Sequence, residues 1–356
     1  MRILIVVNTL CYGGAEKQAV ADANSLAAEG NDVTLGCHMI GDLARRLSPE
    51  VKLYRIGSKN VIVAALLLFM HLLSNRYDII HSHMFWAERV SIIPGKLTRH
   101  RVVFNEHGLG LWRKWYHVVT MRLISMLADK VVTSCQENYR VRRKQEKLDP
   151  DKMVVIYNSV EENSKGDLSS ESLGELHDGK FIIGYAGRFN AVKRLELFLN
   201  IAERLKDRIK DFKIVLLGDG DLRRRLEREI SGRGLEEFFH MPGFVLEVSQ
   251  YYRTFDVFVL PSKIEGFSLA LLEAGAASVP LIAFDVGGNS EIIVNGVNGY
   301  TIPNNDIDTL MERIIYLREH EGFRRKMGMA AHRLIEGRFS VSRRTDDLQR
   351  LYRSLQ

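Results

Sequence analysis

Short, continuously apolar runs alternate with stretches of helical periodicity, and this alternation occurs twice along the chain. In the first half a helix is expected at 15–28, and the apolar runs lie at residues 3–7, 32–36, 78–81, 102–104 and 130–133. In the second half they lie at residues 181–185, 213–217, 239–241, 257–260 and 281–284. Runs of Val, Ile and Leu are typical of parallel strands buried on both faces. The pattern predicts an α/β protein with two doubly wound domains.

The predicted domain boundaries follow from the places where this rhythm stops. A chain of 356 residues suggests two domains at roughly 150 residues each. We expect a first domain at 1–160 and a second at 181–338, joined by a linker at 161–180 that is rich in Ser, Glu, Gly and Asp. Residues 339–356 show a helical pattern that is expected to pack back on the first domain.

Composition indicates a globular protein with a full core, since 46% of the residues are hydrophobic and 26% are charged. The three cysteines, Cys11, Cys37 and Cys135, are scattered and lack metal-ligand spacing, which favours a reduced, cytoplasmic protein without disulfides or zinc. Residues 1–7 resemble a strand rather than a signal peptide. The apolar run at 61–73 is too short to cross a bilayer, so it predicts either a buried helix or a shallow membrane insertion.

Positive charge is concentrated in the first half of the chain. The net charge is +6, and residues 96–152 hold 13 Lys and Arg against 6 Asp and Glu. Aromatic residues lie among the basic ones in the set Trp112, Arg113, Lys114, Trp115 and Tyr116, and a helix follows with Arg140, Arg142, Arg143, Lys144 and Lys147. Such a surface suits peripheral contact with an anionic membrane or an acidic acceptor, or it is an ordinary solvated helix face. No nucleic-acid recognition motif accompanies it, so no nucleic-acid partner is expected.

Candidate chemistry follows the predicted strands, at the carboxyl ends where open α/β sheets bind ligands in a crevice. Gly13-Gly14 come after the first strand, in a spacing that lacks the dinucleotide fingerprint G-x-G-x-x-G. Arg188 and Lys193 come after the first strand of the second half and could neutralise a diphosphate. Between residues 261 and 275, Glu265 precedes a predicted helix and Glu273 lies inside it, and the first turn of that helix offers backbone N–H groups to an anion.

In these motifs the chain resembles the retaining glycosyltransferases of family four, which have the GT-B architecture. The residues that carry the resemblance are Gly13-Gly14-Ala-Glu16, Glu106-His107-Gly108, Gly187-Arg188 with Lys193, Gly218-Asp-Gly-Asp221, Glu265-Gly-Phe-Ser-Leu269 with Glu273, and Gly287-Gly288-Asn-Ser-Glu291. The resemblance implies two Rossmann-like domains facing a deep interdomain cleft. It implies a nucleotide-sugar donor, with a UDP-sugar favoured over a GDP-sugar, and a glycan or lipid-linked acceptor in the assembly of a cell-surface polysaccharide or glycolipid.

The resemblance also implies a role for each matching residue. Arg188 and Lys193 would hold the donor diphosphate, and Glu265 and His107 would lie at the donor sugar. The ribose would bind Glu273, and the remaining donor contacts would come from Gly13, Gly14, Gly266, Phe267, Ser268 and Leu269. Three positions depart from the usual family pattern: Arg194 and Ser278 stand where glycine is usual, and Ser159 replaces another glycine near the hinge.

Several alternatives concern the reaction itself. A glycosidase that uses Glu265 and Glu273 as its two carboxylates is disfavoured, because the diphosphate cations would then have no role. Asp219-Gly-Asp221 could be read as a metal site, but we expect Asp221 to cap the following helix and expect no metal or other cofactor. A nucleotide-sugar epimerase and a non-catalytic nucleotide-sugar-binding protein remain as alternatives to a transferase.

Overall fold

A computed structural model of the chain describes residues 1–110, 113–161 and 179–356. It divides into two compact units. Unit 1 comprises Met1–Ser159 together with Ser340–Gln356, and unit 2 comprises Val160–Phe339. Trp112 and nearly all of the expected linker at 161–180 lie outside the described residues. Each unit is an open parallel sheet covered by helices, which confirms the predicted fold class.

Unit 1 is built on a sheet of seven parallel strands in the order β3-β2-β1-β4-β5-β6-β7. Its strands are β1 (Arg2–Val6), β2 (Asp32–Cys37), β3 (Lys52–Arg55), β4 (Ile79–His83), β5 (Arg101–Glu106), β6 (Lys130–Thr133) and β7 (Met153–Val155). The strand order reverses its direction between β1 and β4. That switch point is where a parallel open sheet forms a crevice at its carboxyl edge.

The helices of unit 1 form one layer on each face of the sheet. They are α1 (Gly14–Ala28), α2 (Val61–Ser74), α3 (Met84–Leu97), α4 (Trp115–Leu127), α5 (Gln136–Glu146) and, from the end of the chain, α13 (Val341–Arg353). Helices α1 and α13 share a core with Ile3 and Ile5, to which α13 contributes Leu348 and Tyr352. Helices α2 to α5 cover the other face, where Leu4 and Val6 point.

A buried ion pair fixes α13 to α1. The Arg344 guanidinium donates to both carboxylate oxygens of Asp22, at 2.6 and 2.8 Å. It also donates to the backbone carbonyls of Ile156 and Tyr157, at 3.1 and 2.8 Å. Because a planar guanidinium with several acceptors is fully satisfied, this charge is tolerated in the interior and sets the position of the helix.

Unit 2 is a six-stranded parallel sheet in the order β10-β9-β8-β11-β12-β13. Its strands are β8 (Phe181–Ala186), β9 (Phe212–Leu217), β10 (Phe239–Gly243), β11 (Val257–Leu260), β12 (Leu281–Phe284) and β13 (Gly299–Ile302). Its helices are α6 (Glu196–Lys206), α7 (Arg223–Gly232), α8 (Ser249–Tyr252), α9 (Leu269–Ala276), α10 (Asn289–Ile292), α11 (Ile307–Glu319) and α12 (Glu321–Phe339). The order reverses between β8 and β11, which places the switch point between the two strands that precede the predicted diphosphate and sugar motifs.

The structure corrects the predicted basic face of unit 1 at two positions. Arg142 is fully buried and Arg113 is nearly so, and both pair with the buried Glu106 and Glu146. The four distances lie between 2.7 and 3.0 Å. Burial and the neighbouring Glu106 carboxylate raise the pKa of Glu88, which also lies in this cluster, well above its usual range. On α5 the exposed cations are therefore Arg140, Arg143 and Lys144.

Two further expectations were wrong. Helix α7 begins at Arg223 with Leu222 at its N-cap and has no side-chain cap, so Asp221 does not cap it. The apolar helix α2 is not buried, because only Ala64, Leu68 and Leu72 of its side chains are inside the core. No helix among the described residues is both long enough and apolar enough to cross a membrane.

The buried ion-pair cluster predicts that two neighbouring arginines of α5 contribute very differently to the free energy of unfolding. Arg142→Met leaves Glu106 and Glu146 short of a partner in the interior, and we expect it to lower the free energy of unfolding by about 3–5 kcal/mol. Arg143→Met, on the exposed side of the same helix, should change it by less than about 0.5 kcal/mol. Urea unfolding of the two variants measures the difference, and equal midpoints would show that the cluster does not stabilise unit 1.

Candidate active site

The predicted cations of unit 2 and the carboxylate of Glu265 lie after strands at one edge of its sheet, and Glu273 lies in the helix that follows. Arg188 and Lys193 follow β8, Glu265 follows β11, and Gly287 follows β12. These three strands are parallel neighbours. Their carboxyl ends therefore meet at one edge, at the switch point between β8 and β11, which is where ligands bind in this class of sheet.

Lys193 and Glu265 form an ion pair within this edge. Lys193 ends a short 3₁₀ turn, Ala191–Lys193, and its Nζ lies 2.5 Å from Oε1 of Glu265. The side chains are only 21% and 10% exposed. Partial burial makes this pair stronger than a surface salt bridge, and it fixes both groups in one geometry. A cation for an anionic group and an acceptor for hydroxyls are thus held side by side.

Arg194 shows why glycine is usual after the lysine. Its backbone is left-handed, with φ of 53°, a conformation that costs a side-chain-bearing residue roughly 1–2 kcal/mol. The arginine offsets part of this cost with contacts that glycine cannot make, since its Nη1 lies 2.5 Å from Oδ1 of Asn305 and its guanidinium lies over the Phe284 ring. Ser278, the other departure, is also left-handed, with φ of 63°. Neither departure removes a candidate site residue.

The loop that carries Glu265 and Gly266 is held by the glycine pair after β12. The Gly288 N–H donates to the Gly266 carbonyl at 2.7 Å. Gly287 has φ of 57°, and a Cβ placed there would lie 1.9 Å from the Glu265 carbonyl oxygen. Only glycine allows this approach of backbone to backbone. The pair Gly287-Gly288 therefore sets the position of Glu265.

Helix α9 starts directly after this loop. The Ser268 hydroxyl is its N-cap and accepts from the Leu271 N–H at 3.4 Å. Phe267 is buried with its ring centroid 5.3 Å from that of Phe339, and Leu269 is the first residue of the helix. The Ser268 side chain thus caps the start of α9, and the segment from Gly266 to Leu269 places that start at the carboxyl edge of the sheet.

Glu273 is held in place by a residue that the sequence analysis did not identify. The hydroxyl of the fully buried Tyr252 donates to Oε2 of Glu273 at 2.8 Å. Burial and the Glu273 carboxylate raise the pKa of Tyr252 well above its usual range, so the phenol stays a donor. A single tyrosine ahead of β11 carries no motif, and only its spatial position reveals this role. Tyr185, buried near Glu265, was missed for the same reason.

In unit 1, His107 lies against two polar side chains from neighbouring strands. Its Nε2 is 2.6 Å from Nδ2 of Asn105 and 3.0 Å from Nδ1 of His83. With the amide nitrogen donating to Nε2, the neutral His107 carries its proton on Nδ1. His81, on β4 with His83, instead contacts the Tyr352 hydroxyl at 2.6 Å. His83 and Asn105 therefore orient His107, while His81 belongs to the packing of α13.

These histidines are neutral at physiological pH. Burial lowers the pKa of His81 to about 3. Burial, and next the charge of Arg344, lowers the pKa of His107 to about 4. Burial and the neighbouring His81 hold the pKa of His83 well below its usual range. A neutral His107 can donate a hydrogen bond, but it supplies no positive charge.

Gly13 and Gly14 lie at the switch point of the unit 1 sheet, between β1 and α1. Gly13 is the N-cap of α1 in an extended conformation, and Gly14 is the first helical residue. A Cβ on Gly13 would lie 2.2 Å from Oε2 of Glu16. The Glu16 carboxylate therefore lies directly against the backbone at the start of α1, and a side chain on Gly13 would have no room there.

Asp219 and Asp221 follow β9, next to β8 in the sheet. The Asp219 carboxylate accepts from the Gly220 N–H at 2.7 Å, and the Asp219 carbonyl accepts from the Phe189 N–H at 2.9 Å. These contacts give the turn a role in shaping the Arg188 loop. Within the described ranges no group of three or more His, Cys, Asp or Glu side chains could hold a metal ion, and the absence of a metal requirement stays a prediction.

Comparison with known proteins identifies the family. The profile described as "Glycosyl transferases group 1" matches residues 171–334, and that of "Glycosyltransferase Family 4" matches residues 12–164. Together the matches cover most of both units. The chain belongs to the group 1 glycosyltransferases of the GT-B fold and is a glycosyltransferase.

Two curated relatives illustrate the range of this family. The chain is 25% identical over 366 residues to the UDP-Gal:alpha-D-GlcNAc-diphosphoundecaprenol alpha-1,3-galactosyltransferase of Escherichia coli, covering 95% of this chain and 93% of the relative. It is 28% identical over 256 residues to the 2-deoxystreptamine N-acetyl-D-glucosaminyltransferase of Niallia circulans, covering 62% of each chain.

Solved structures share the fold over the whole chain. The Anabaena protein HepE, in complex with UDP and glucose, matches with a TM-score of 0.86 at 20% identity, covering 99% of this chain and 100% of that one. The sucrose-phosphate synthase of Thermosynechococcus elongatus matches with a TM-score of 0.86 at 19% identity, covering 99% and 98%. At these identities the likeness concerns the fold alone.

The close approach at Gly287 predicts that one added methyl group strongly lowers the free energy of unfolding. Gly287→Ala places a Cβ against the Glu265 carbonyl and requires a left-handed alanine, so we expect a loss of about 2 kcal/mol or more in the free energy of unfolding. Gly322→Ala is the matched control, because its Cβ enters open space on a helix. Thermal unfolding compares the two variants. Equal melting temperatures would mean that the Glu265 loop can move away at little cost.

The neutral histidines predict an acid-labile unit 1. Below pH 6.5 the unfolded chain protonates these histidines while the folded chain does not, so the unfolded state binds more protons and stability rises with pH. At pH 5 each of His81 and His107 should have cost about 2 kcal/mol relative to neutral pH, and His83 acts in the same direction. The raised pKa values of Glu88 and Glu146 act in the opposite direction, so the histidine contribution must be isolated by substitution.

The measurement is the melting temperature between pH 5 and pH 7 for the native chain and for His81→Asn. The variant should show the shallower rise, because one buried titrating group is gone. His320→Asn, at an exposed position of unit 2, should keep the native slope. Parallel curves for all three proteins would show that His81 titrates normally in the folded state.

Proposed function

We propose that the protein is a retaining glycosyltransferase that moves a sugar from a nucleotide-diphosphate donor to a glycan or lipid-linked acceptor. The observation that carries this proposal is the ion pair of Lys193 and Glu265 at the switch point of the unit 2 sheet. It sets a cation for phosphate beside a carboxylate for sugar hydroxyls. Arg188, on the same loop as Lys193, adds a second cation for the diphosphate.

The ion pair also argues for the role of Glu265. A general acid must present a proton to the leaving group, whereas the Glu265 carboxylate accepts a hydrogen bond from the Lys193 ammonium at 2.5 Å. Glu265 is therefore suited to accept hydrogen bonds from donor-sugar hydroxyls and to orient the sugar. This disfavours a glycosidase in which Glu265 protonates the leaving group.

Cleavage at the anomeric carbon releases a nucleoside diphosphate and develops negative charge on the departing phosphate. Lys193, Arg188 and the start of α9 would stabilise that charge. In a retaining reaction without a protein nucleophile, the acceptor hydroxyl attacks from the face that the phosphate leaves. The departing phosphate oxygen takes the hydroxyl proton, so the enzyme's main contributions are orientation and electrostatic stabilisation, and no metal is required.

Glu273 fits the ribose of the donor nucleotide. One of its oxygens accepts from the buried Tyr252 hydroxyl at 2.8 Å, which fixes the carboxylate on α9. A carboxylate fixed in this way can accept from two vicinal hydroxyls. We propose UDP as the preferred nucleotide, with GDP second, because the Anabaena neighbour is described with UDP and with UDP-glucose and the Escherichia coli relative uses UDP-Gal.

The acceptor side of the proposal rests on the relatives. The Escherichia coli relative acts on a diphosphoundecaprenol-linked sugar, and the Niallia relative acts on 2-deoxystreptamine. We propose a glycan or lipid-linked acceptor for this chain, in polysaccharide or glycolipid assembly. A cytoplasmic protein with peripheral contact at the inner face of the cell membrane belongs to the same proposal.

Two substitutions test the assignment of the ion pair. Lys193→Ala and Glu265→Ala should each lower the rate of nucleoside diphosphate release from a UDP-sugar in the presence of an acceptor by about 10²–10³-fold. Lys210→Ala and Glu312→Ala, at exposed positions of unit 2, are the matched controls and should keep native rates. Native rates in both site variants would contradict the proposal. Isomerised donor in the absence of acceptor would identify an epimerase instead.

Nucleotide binding separates the two roles. UDP at a hundred times its dissociation constant should stabilise the native protein by roughly 2.7 kcal/mol. Lys193→Ala should lose much of that stabilisation, because the lysine contacts phosphate. Glu265→Ala should retain it, because the glutamate contacts the sugar, which UDP lacks. Thermal unfolding with and without UDP or GDP provides the measurement.

A further inference from the structure

Helix α2 exposes an apolar outer face. The side chains of Ile62, Leu66, Met70 and Leu73 are 58 to 81% exposed. Their spacing of four, four and three residues places them on one side of the helix. The opposite side, with Ala64, Leu68 and Leu72, packs into the core of unit 1. The helix is thus apolar on both sides, and only one of these is covered.

Helix α4 has the same character. Trp115, Val119, Leu123 and Met126 are 48 to 78% exposed and repeat at the same helical spacing. Its buried side chains, Met121 and Ser125, lie on the other side. Both α2 and α4 contact α3, which lies between them and adds the exposed Ile93 and Leu97. We call the exposed side chains of these three helices the α2–α4 face.

The exposed charged residues of helices α2, α3 and α4 are all basic, although Asp129, just after α4, pairs with Lys96 of α3. Helix α2 has no charged residue, and the single charge of α4 is the exposed Arg122. The only acidic residue in the three helices, Glu88, is fully buried. Lys114 precedes α4, and Arg99 follows α3, both exposed. An apolar surface whose three helices carry exposed basic residues and no exposed carboxylate is complementary to an apolar and anionic partner.

We propose that the α2–α4 face is an interfacial membrane-binding surface for an anionic lipid bilayer. The exposed apolar side chains extend over three adjacent helices, and a contiguous apolar patch of this kind marks a site of interaction with a partner or a membrane. Its basic residues would meet lipid headgroups while its apolar side chains enter the headgroup and acyl boundary. Trp115 and Tyr116 supply the aromatic side chains that favour this boundary. This inference rests on the proposed function, since a lipid-linked acceptor would be presented at the same surface.

A second copy of the chain fits this face less well. A two-fold interface brings the same patch against itself. Here it would place Lys114 and Arg122 near their own counterparts without exposed carboxylates from the three helices to pair with them, and juxtaposed like charges disfavour association. The bilayer has no such conflict. With 14 residues, α2 is also far shorter than a membrane-spanning helix, so it would lie in the plane of the surface.

The test is flotation of the native protein with phosphatidylcholine vesicles, with and without phosphatidylglycerol. We expect binding to the anionic vesicles and little binding to the neutral ones. The double variant Leu66→Gln with Leu123→Gln should bind the anionic vesicles at least about tenfold more weakly, because apolar insertion scales with buried apolar area. Val297→Gln with Met329→Gln changes two similarly exposed apolar residues of unit 2 and should bind as the native protein does.

A second pair of variants separates this face from the basic side of α5. Lys114→Gln with Arg122→Gln should weaken binding by about fivefold per charge at low salt. Arg143→Gln with Lys144→Gln, on the exposed side of α5, should leave binding nearly unchanged. Loss of binding in the α5 pair alone would assign the membrane contact to the other surface and overturn the proposal.

Other outcomes also decide the question. Native protein that does not float with anionic vesicles, or a Leu66/Leu123 variant that floats as well as native protein, would refute the proposal. A native dimer in solution that this variant converts to a monomer would assign the face to a second copy. Stabilisation by UDP or GDP is measured on the same proteins. If neither UDP nor GDP stabilises the native chain, the proposed function is contradicted. If the nucleotides stabilise the Leu66/Leu123 variant as they stabilise the native chain, only the surface has changed.

Discussion

The candidate active site depends on how closely four loops of unit 2 approach one another. Backbone meets backbone where a Cβ on Gly218 would lie 2.0 Å from the Gly187 carbonyl and a Cβ on Gly287 would lie 1.9 Å from that of Glu265. These contacts join the loop after β8 to that after β9, and the loop after β11 to that after β12. The Lys263 N–H donates to the Val192 carbonyl at 2.8 Å and joins the β8 loop to the β11 loop. Because the loops cannot separate without losing these contacts, Lys193 and Glu265 are held at ion-pair distance before any ligand binds, which reduces the reorganisation needed during the reaction.

Unit 1 is subject to a different constraint, because polar and charged side chains lie in its interior. Arg344 is satisfied by Asp22 and two backbone carbonyls. The histidines around it remain neutral because burial, and after it the charge of the guanidinium, lowers their pKa. The contacts around Arg344 link α13, near the end of the chain, to β4, the strand that carries His83. His107 is therefore held in a fixed orientation and can contribute a hydrogen bond rather than a charge.

Much of the fold was predictable because parallel strands are buried on both faces and appear as uninterrupted apolar runs. The candidate site residues of unit 2 were predictable for a related reason, since ligand contacts follow strand ends. Side-chain environments were less accessible. Arg142 lies on the buried side of α5 with Asn138 and Glu146, and polar residues on a buried side cannot be distinguished from solvated ones by periodicity alone. The prediction for α2 was wrong for the opposite reason. Nearly every position of this helix is apolar, so the sequence does not indicate which side is covered.

The exposed helices of unit 1 and the polar edge of unit 2 suggest a division of labour within one chain. Recognition of a charged, water-soluble donor needs cations and hydrogen-bond acceptors fixed by backbone contacts, and unit 2 supplies them. Recognition of an acceptor carried by a lipid needs a surface that is stable next to hydrocarbon and near negative charge. Burying Ile62, Leu66 or Trp115 in the core would improve stability in water, so their exposure on three adjacent helices is better explained by a partner that covers them than by folding.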